Sequence, residues 1–211
     1  MWEKNTYELE NKNNYERIEW DDIWRENAPQ QNSKRILLIG DSISHQCREK
    51  LNASFNGEIN VDLLATSKSV ADTAFPVLID YMCAQYDRYD VVIFNNGLHG
   101  FYLDNEGFEE NYRKLINHIC EKFSKSKILI SLSTTVRNPE NINEFLPKND
   151  ICIARNNIAR KIAKEQDIEC LDYYSLVCDR PDLISPDGIH LNEDGVNLLV
   201  ETCSEKVRSL I

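Results

Sequence analysis

The stretch Arg35-Ile36-Leu37-Leu38-Ile39-Gly40-Asp41-Ser42-Ile43 decides how the rest of the chain is read. Four consecutive apolar residues closed by a glycine read as a short strand buried on both faces, the kind found in a parallel sheet covered by helices. Ser42 follows at once, just before a stretch with helical character, so its hydroxyl is expected at the edge of the sheet. Its own N–H is expected near a helix start, where backbone donors can stabilise a developing anion. Taken alone, a Gly-Asp-Ser tripeptide is most simply a helix cap.

The same alternation continues outward from this stretch. β-type runs fall at 35–39, 59–64, 90–95, 127–132 and 168–171, and amphipathic stretches at 45–51, 72–85, 108–123, 149–165 and 193–210, the last with Asn192 as its expected cap. Strands alternating with helices predict an α/β fold, a three-layer αβα sandwich on a five-stranded parallel sheet. Residues 1–33 are polar and carry all three tryptophans, Trp2, Trp20 and Trp24. They read as an extension that docks on the domain at 34–211 through those rings.

Composition narrows the function. A chain of 211 residues, 42% apolar and 28% charged, suits one soluble domain. The net charge of -11 gives no basic footprint for nucleic acid and opposes binding to an anionic membrane. The polar start of the chain and the lack of any apolar run of spanning length predict neither signal peptide nor anchor. Seven scattered cysteines, Cys47, Cys83, Cys120, Cys152, Cys170, Cys178 and Cys203, form no close pair. They predict free thiols in a cytoplasmic protein, with no metal site and no cofactor.

Open α/β sheets bind ligands beyond the C-terminal ends of their strands. The loop before the last helix holds Ser185-Pro186-Asp187-Gly188-Ile189-His190-Leu191. An aspartate three residues ahead of a histidine, with Pro and Gly bending the chain, can reach the imidazole and orient it as a base. Of the four histidines, His190 has this partner, whereas His45 reads as a polar surface residue and His118 as part of an amphipathic helix. Arg137 and Asn138, in the long 133–148 loop, are candidates for substrate contact, and Tyr173 and Tyr174 for packing beside the histidine loop.

Gly40-Asp41-Ser42 with the distant Asp187-Gly188-Ile189-His190 resembles the SGNH, or GDSL-type, hydrolase superfamily over residues 34–211. The resemblance implies a flavodoxin-like fold, a nucleophile at Ser42 and a triad completed by Asp187 and His190. It implies an oxyanion hole formed by the N–H of Ser42, a backbone N–H at Lys68, where the family has glycine, and a side chain near Gly97-Leu98-His99, where the family has Gly-x-Asn. His99, Asn95 and Asn96 are the candidates for that side chain. The implied activity is hydrolysis of a short-chain acyl ester, acetyl on a carbohydrate among them, so the expected partner is a small-molecule or carbohydrate ester. An O-acyltransferase acting on a sugar hydroxyl and a non-catalytic glycan-binding module are the alternatives.

Overall fold

The computed structural model describes residues 15–86 and 88–211, which leaves Trp2 outside the described part. Among the described residues there are eight strands: β1 (Asp21–Trp24), β2 (Lys34–Gly40), β3 (Ile59–Thr66), β4 (Val91–Phe94), β5 (Lys127–Ser131), β6 (Arg137–Asn138), β7 (Asn141–Phe145) and β8 (Glu169–Leu171). The helices are α1 (Ser42–Ser54), α2 (Phe75–Cys83), α3 (Asn105–Lys122), α4 (Lys148–Glu165), α5 (Tyr173–Val177) and α6 (Glu193–Leu210), with a 3-10 turn at Pro181–Leu183.

Six strands form the central sheet in the order β1-β3-β2-β4-β5-β8, and β2, β3, β4, β5 and β8 are mutually parallel. These five are the parallel strands expected from the sequence. The two faces of β2 explain why its apolar run is continuous. Ile36 and Leu38 pack with Ile43, Cys47 and Leu51 of α1 and Val196, Leu199 and Cys203 of α6. Leu37 and Ile39 point the other way, into Phe75 and Ile79 of α2, Phe108 and Tyr112 of α3, and Ile162 of α4. Each such aliphatic side chain, fully buried, contributes about 1.5–3 kcal/mol. The strand therefore lies at the centre of both cores, and its C-terminal end is held rigidly where Ser42 begins.

The sixth strand was not anticipated. β1 comes from the N-terminal arm and pairs antiparallel with β3, Asp21 opposite Thr66 and Ile23 opposite Leu64. Four residues reading Asp-Asp-Ile-Trp carry no clear period of their own and become a strand by pairing with a neighbour. The arm also docks through Trp20, partly buried against the core, while Trp24 is half-exposed with the Arg48 guanidinium 4.6 Å above its ring. The turn from β1 to β2 is braced by buried Arg35, which donates to the Glu26 carbonyl and to Asp62 Oδ1, each at 2.6 Å. Within the expected 133–148 loop, β6 and β7 form a small hairpin.

Helix α6 matches its expected bounds, with the Asn192 side chain accepting from the Gly195 N–H at 3.0 Å. Helix α1 starts three residues earlier than expected because Asp41 caps it by accepting the Ile43 N–H at 2.9 Å, which makes Ser42 its first residue. Glycine at position 40 is required by that tight turn, since a Cβ there would lie 2.1 Å from Ser44 Oγ. Among the described residues no helix is long and apolar enough to cross a membrane.

Candidate active site

Ser42 sits on the first turn of α1, where helix N–H groups have no partner within the helix and the macrodipole favours negative charge. Its Oγ lies 2.9 Å from His190 Nε2, across 148 residues of sequence. His190 Nδ1 lies 2.6 Å from Asp187 Oδ2. The other Asp187 oxygen accepts the N–H groups of Ile189 and His190, both at 2.9 Å, so the carboxylate shapes its own loop as well as orienting the ring. Burial works to raise the Asp187 pKa, but the hydrogen bonds from the His190 ring and these two N–H groups outweigh it and hold the carboxyl below its usual range.

Local contacts place the histidine loop. Ser185 N–H donates to the His190 carbonyl at 2.8 Å and Gly188 N–H to the Ser185 carbonyl at 2.9 Å, closing a tight turn. Gly188 has φ +81, and its carbonyl accepts the Arg137 N–H at 2.7 Å. Gln46, one turn beyond Ser42 on α1, binds the main chain of Leu191 through both ends of its amide. Sequence reasoning missed Gln46; its spacing of four from Ser42 on one helix face was the available signal.

The candidate oxyanion donors fare unequally. The Lys68 N–H donates to Thr66 Oγ1 at 3.1 Å, and its ammonium turns to the arm, 3.1 Å from Asp21. Asn95 Nδ2 donates to the Ser131 carbonyl at 2.7 Å, and Asn96 Nδ2 to the Lys68 carbonyl at 2.8 Å. The Asn95 amide thus ties the end of β4 to its neighbour β5, and the Asn96 amide ties the loop after β4 to the loop after β3, across β2. His99 has its Nδ1 3.6 Å from Glu16 Oε1 and its ring edge-on to Trp20. Asp41 is wholly buried; burial pushes its carboxyl up while His99 and His190 pull it back, so both imidazoles lie within electrostatic reach of the residue preceding Ser42.

Arg137 and Asn138 occupy a structural position. The buried Arg137 guanidinium donates to the Ile142 carbonyl at 3.0 Å and to the Cys178 carbonyl, and lies 4.3 Å over the Phe145 ring. It straps the β6–β7 hairpin to the segment after α5. Asn138 Oδ1 accepts the Glu140 N–H at 3.0 Å inside the hairpin turn. His45, one turn along α1, is exposed and 2.9 Å from Asp22, and His118 is 2.8 Å from Asp80, so each faces a carboxylate other than Asp187. Tyr173 packs against the core, and Tyr174 accepts from Asn149 Nδ2 at 2.9 Å. All seven cysteines are free, and burial pushes the thiols of Cys47 and Cys152 up to about 12.

Beside Ser44 and Leu98 lies an apolar cavity of about 20 Å³, lined also by Ile43, Cys47 and Tyr173. That is room for one water molecule and not for an alkyl chain.

Solved structures share this architecture. An acetyl xylan esterase, AlAXEase, superposes with a TM-score of 0.65 at 18% identity over 82% of this chain and 99% of its own. Est24, a carbohydrate acetylesterase from Sinorhizobium meliloti, gives 0.66 at 15% identity over 85% and 100%. A member of the lipolytic G-D-S-L family from Veillonella parvula gives 0.62 at 16% over 82% and 97%. The fold is that of the SGNH, or GDSL-type, hydrolases. No family model and no curated protein matches the sequence. At this identity the likeness to SGNH structures speaks for the fold, and the chemistry has to be argued from the residues themselves.

Proposed function

We propose that the chain is a serine esterase that hydrolyses a short-chain acyl ester through an acyl-enzyme on Ser42. The observation that carries this reading is the unbroken Ser42–His190–Asp187 relay, at 2.9 and 2.6 Å. Ser42 Oγ attacks the ester carbonyl as its proton passes to His190 Nε2, and Asp187 balances the imidazolium. The tetrahedral intermediate collapses, His190 protonates the departing alcohol, and the acyl group stays on Ser42. Water, losing a proton to His190, then attacks the acyl carbon, and Ser42 recovers its proton as the acid leaves. The oxyanion is held by the Ser42 N–H and by His99, each such donor being worth about 3 kcal/mol of barrier.

Two of the structural neighbours are esterases of acetylated carbohydrate by name, which makes an acetylated sugar the first substrate class to try. The test is hydrolysis of p-nitrophenyl acetate and labelling by a fluorophosphonate, in the wild type and in Ser42→Ala. The wild type should do both and the variant neither, with an unchanged circular dichroism spectrum. A variant as active as the wild type would remove Ser42 from the chemistry.

A further inference from the structure

The N-terminal arm runs beside both loops that the oxyanion would face. Ser67 N–H donates to the Trp20 carbonyl at 3.1 Å, Trp20 N–H to Ser67 Oγ at 2.9 Å, and Ser67 Oγ to Glu19 at 2.8 Å. Further along, Glu16 Oε1 accepts the Gly100 N–H at 2.6 Å while lying 3.6 Å from His99 Nδ1. The Glu16 side chain is only 7% exposed and that of His99 19%, against 36% and 33% for Asp187 and His190. Apart from the exposed pair of His45 on α1 with Asp22, two carboxylate–imidazole pairs thus lie within electrostatic reach of Asp41, and the second depends on the arm.

Imidazole chemistry separates their uses. A neutral ring that turns Nδ1–H to a carboxylate has only a lone pair on Nε2, which suits His190 as a base and is useless to an oxyanion. An imidazolium carries a donor on each nitrogen. Charge near His99 favours that form: Glu16 faces it from the arm, and Asp41 lies within reach from the nucleophile turn. Arg155 of α4 opposes it from the far side, donating to the carbonyls of Gly97, His99 and Gly100 at 3.0, 2.7 and 2.6 Å. Lys68 is compensated by Asp21 and Glu19, and Tyr102, pushed up to about 12 by burial, stays neutral.

We propose that Glu16 is a positioning residue that keeps His99 protonated, so that the N-terminal arm completes the oxyanion hole with an imidazolium donor. The inference rests on the serine-esterase reading above. It predicts that turnover falls as alkaline pH strips the His99 proton, and that losing the Glu16 charge brings this fall to lower pH. Glu16→Gln keeps an acceptor for the Gly100 N–H and removes the charge alone.

The experiment measures kcat and KM for p-nitrophenyl acetate against pH in the wild type, Glu16→Gln, His99→Asn and the double variant. Glu16→Gln should lower kcat at neutral pH by at least about tenfold with KM little changed, since the loss of a whole donor costs about a hundredfold. In His99→Asn, whose amide donates without charge, the alkaline fall set by His99 should vanish and Glu16→Gln should add nothing. Nitrogen-15 shifts of the His99 ring in the wild-type protein, which needs no variant to fold, should report an imidazolium at the pH of greatest activity. A neutral His99 there, a Glu16→Gln profile identical to wild type, or an equal Glu16→Gln loss with and without His99, overturns this inference alone. A wild type that neither turns over the ester nor takes the fluorophosphonate overturns it together with the esterase reading.

Discussion

Gln46 grips the main chain of Leu191 from both sides: its Oε1 accepts the Leu191 N–H at 3.2 Å and its Nε2 donates to the Leu191 carbonyl at 3.1 Å. One partner follows Ser42 by a helical turn and the other follows His190 directly. The pair of bonds fixes how far apart Ser42 and His190 sit.

Gln46→Ala should therefore damage catalysis more than stability. Two neutral hydrogen bonds are worth about 1–3 kcal/mol together. A base displaced by an ångström costs about a hundredfold in rate. Steady-state kinetics beside a urea titration would separate the two, with kcat expected to fall by about 10- to 100-fold in a protein that stays folded. A stability loss with kcat intact would show the grip to be structural only.

Gly188→Ala strikes the same loop from the other side. At φ +81 an L side chain is strained, and an added Cβ would lie 2.1 Å from the Arg137 carbonyl oxygen, which is backbone and cannot swing away. The expected cost is at least about 1–3 kcal/mol from strain, with esterase turnover lost through displacement of Asp187 and His190. The urea midpoint and kcat should fall together. A variant with wild-type values in both would mean that the loop relaxes freely.

Ser42, Asp187 and His190 stood out as candidates in the sequence because their cues are local: a Gly-Asp-Ser closing the apolar run 36–39, and an aspartate three residues before a histidine. The parallel strands were equally legible, since burial on both faces leaves a continuous apolar run such as Val91–Phe94. β1 was hidden because its order comes from β3 and not from its own residues. Glu16, Gln46 and Arg155 were hidden for a related reason: each serves main-chain atoms 84, 145 and 55 residues away, and a backbone carbonyl or N–H leaves no mark on sequence. Arg137 shows the converse, a cation in a promising loop whose guanidinium is committed to carbonyls.

Asp187 makes stability as well as activity depend on its charge. Its carboxyl is held below the ordinary carboxylate range, so its contribution is complete above the unfolded value of about 3.9. It is lost as pH falls through the lower, folded value. Asp187→Asn should thus be less stable than wild type at neutral pH, with the gap closing towards about pH 2. Turnover should drop by about a thousandfold or more, because the amide favours the wrong imidazole tautomer. Thermal melts across pH, set against kcat at neutrality, check both; a gap that widens in acid would refute the linkage.

Arg155 sets the shape of the loop that carries His99. Its guanidinium holds three carbonyls, lies 5.0 Å over Phe101 and 4.6 Å over Phe108, and keeps its charge at neutral pH although burial pushes it down to about 10. Arg155→Met would remove a charged donor from each of the Gly97, His99 and Gly100 carbonyls, while the Leu103 N–H at 3.0 Å still serves Gly100 and the Cys152 thiol at 3.9 Å serves Gly97; hydrogen bonds from a charged group are worth about 1.5–3 kcal/mol each. Against a total stability of about 5–15 kcal/mol, that variant should be barely folded. Arg155→Lys is the more telling change. It retains the charge but cannot span three acceptors with one ammonium, so the loop should shift while the core survives. Turnover should fall by about tenfold or more with KM nearly unchanged, as for loss of a group that acts in the transition state. If Arg155→Lys keeps wild-type kcat, the loop holds its shape without the fork, and Arg155 matters to folding only.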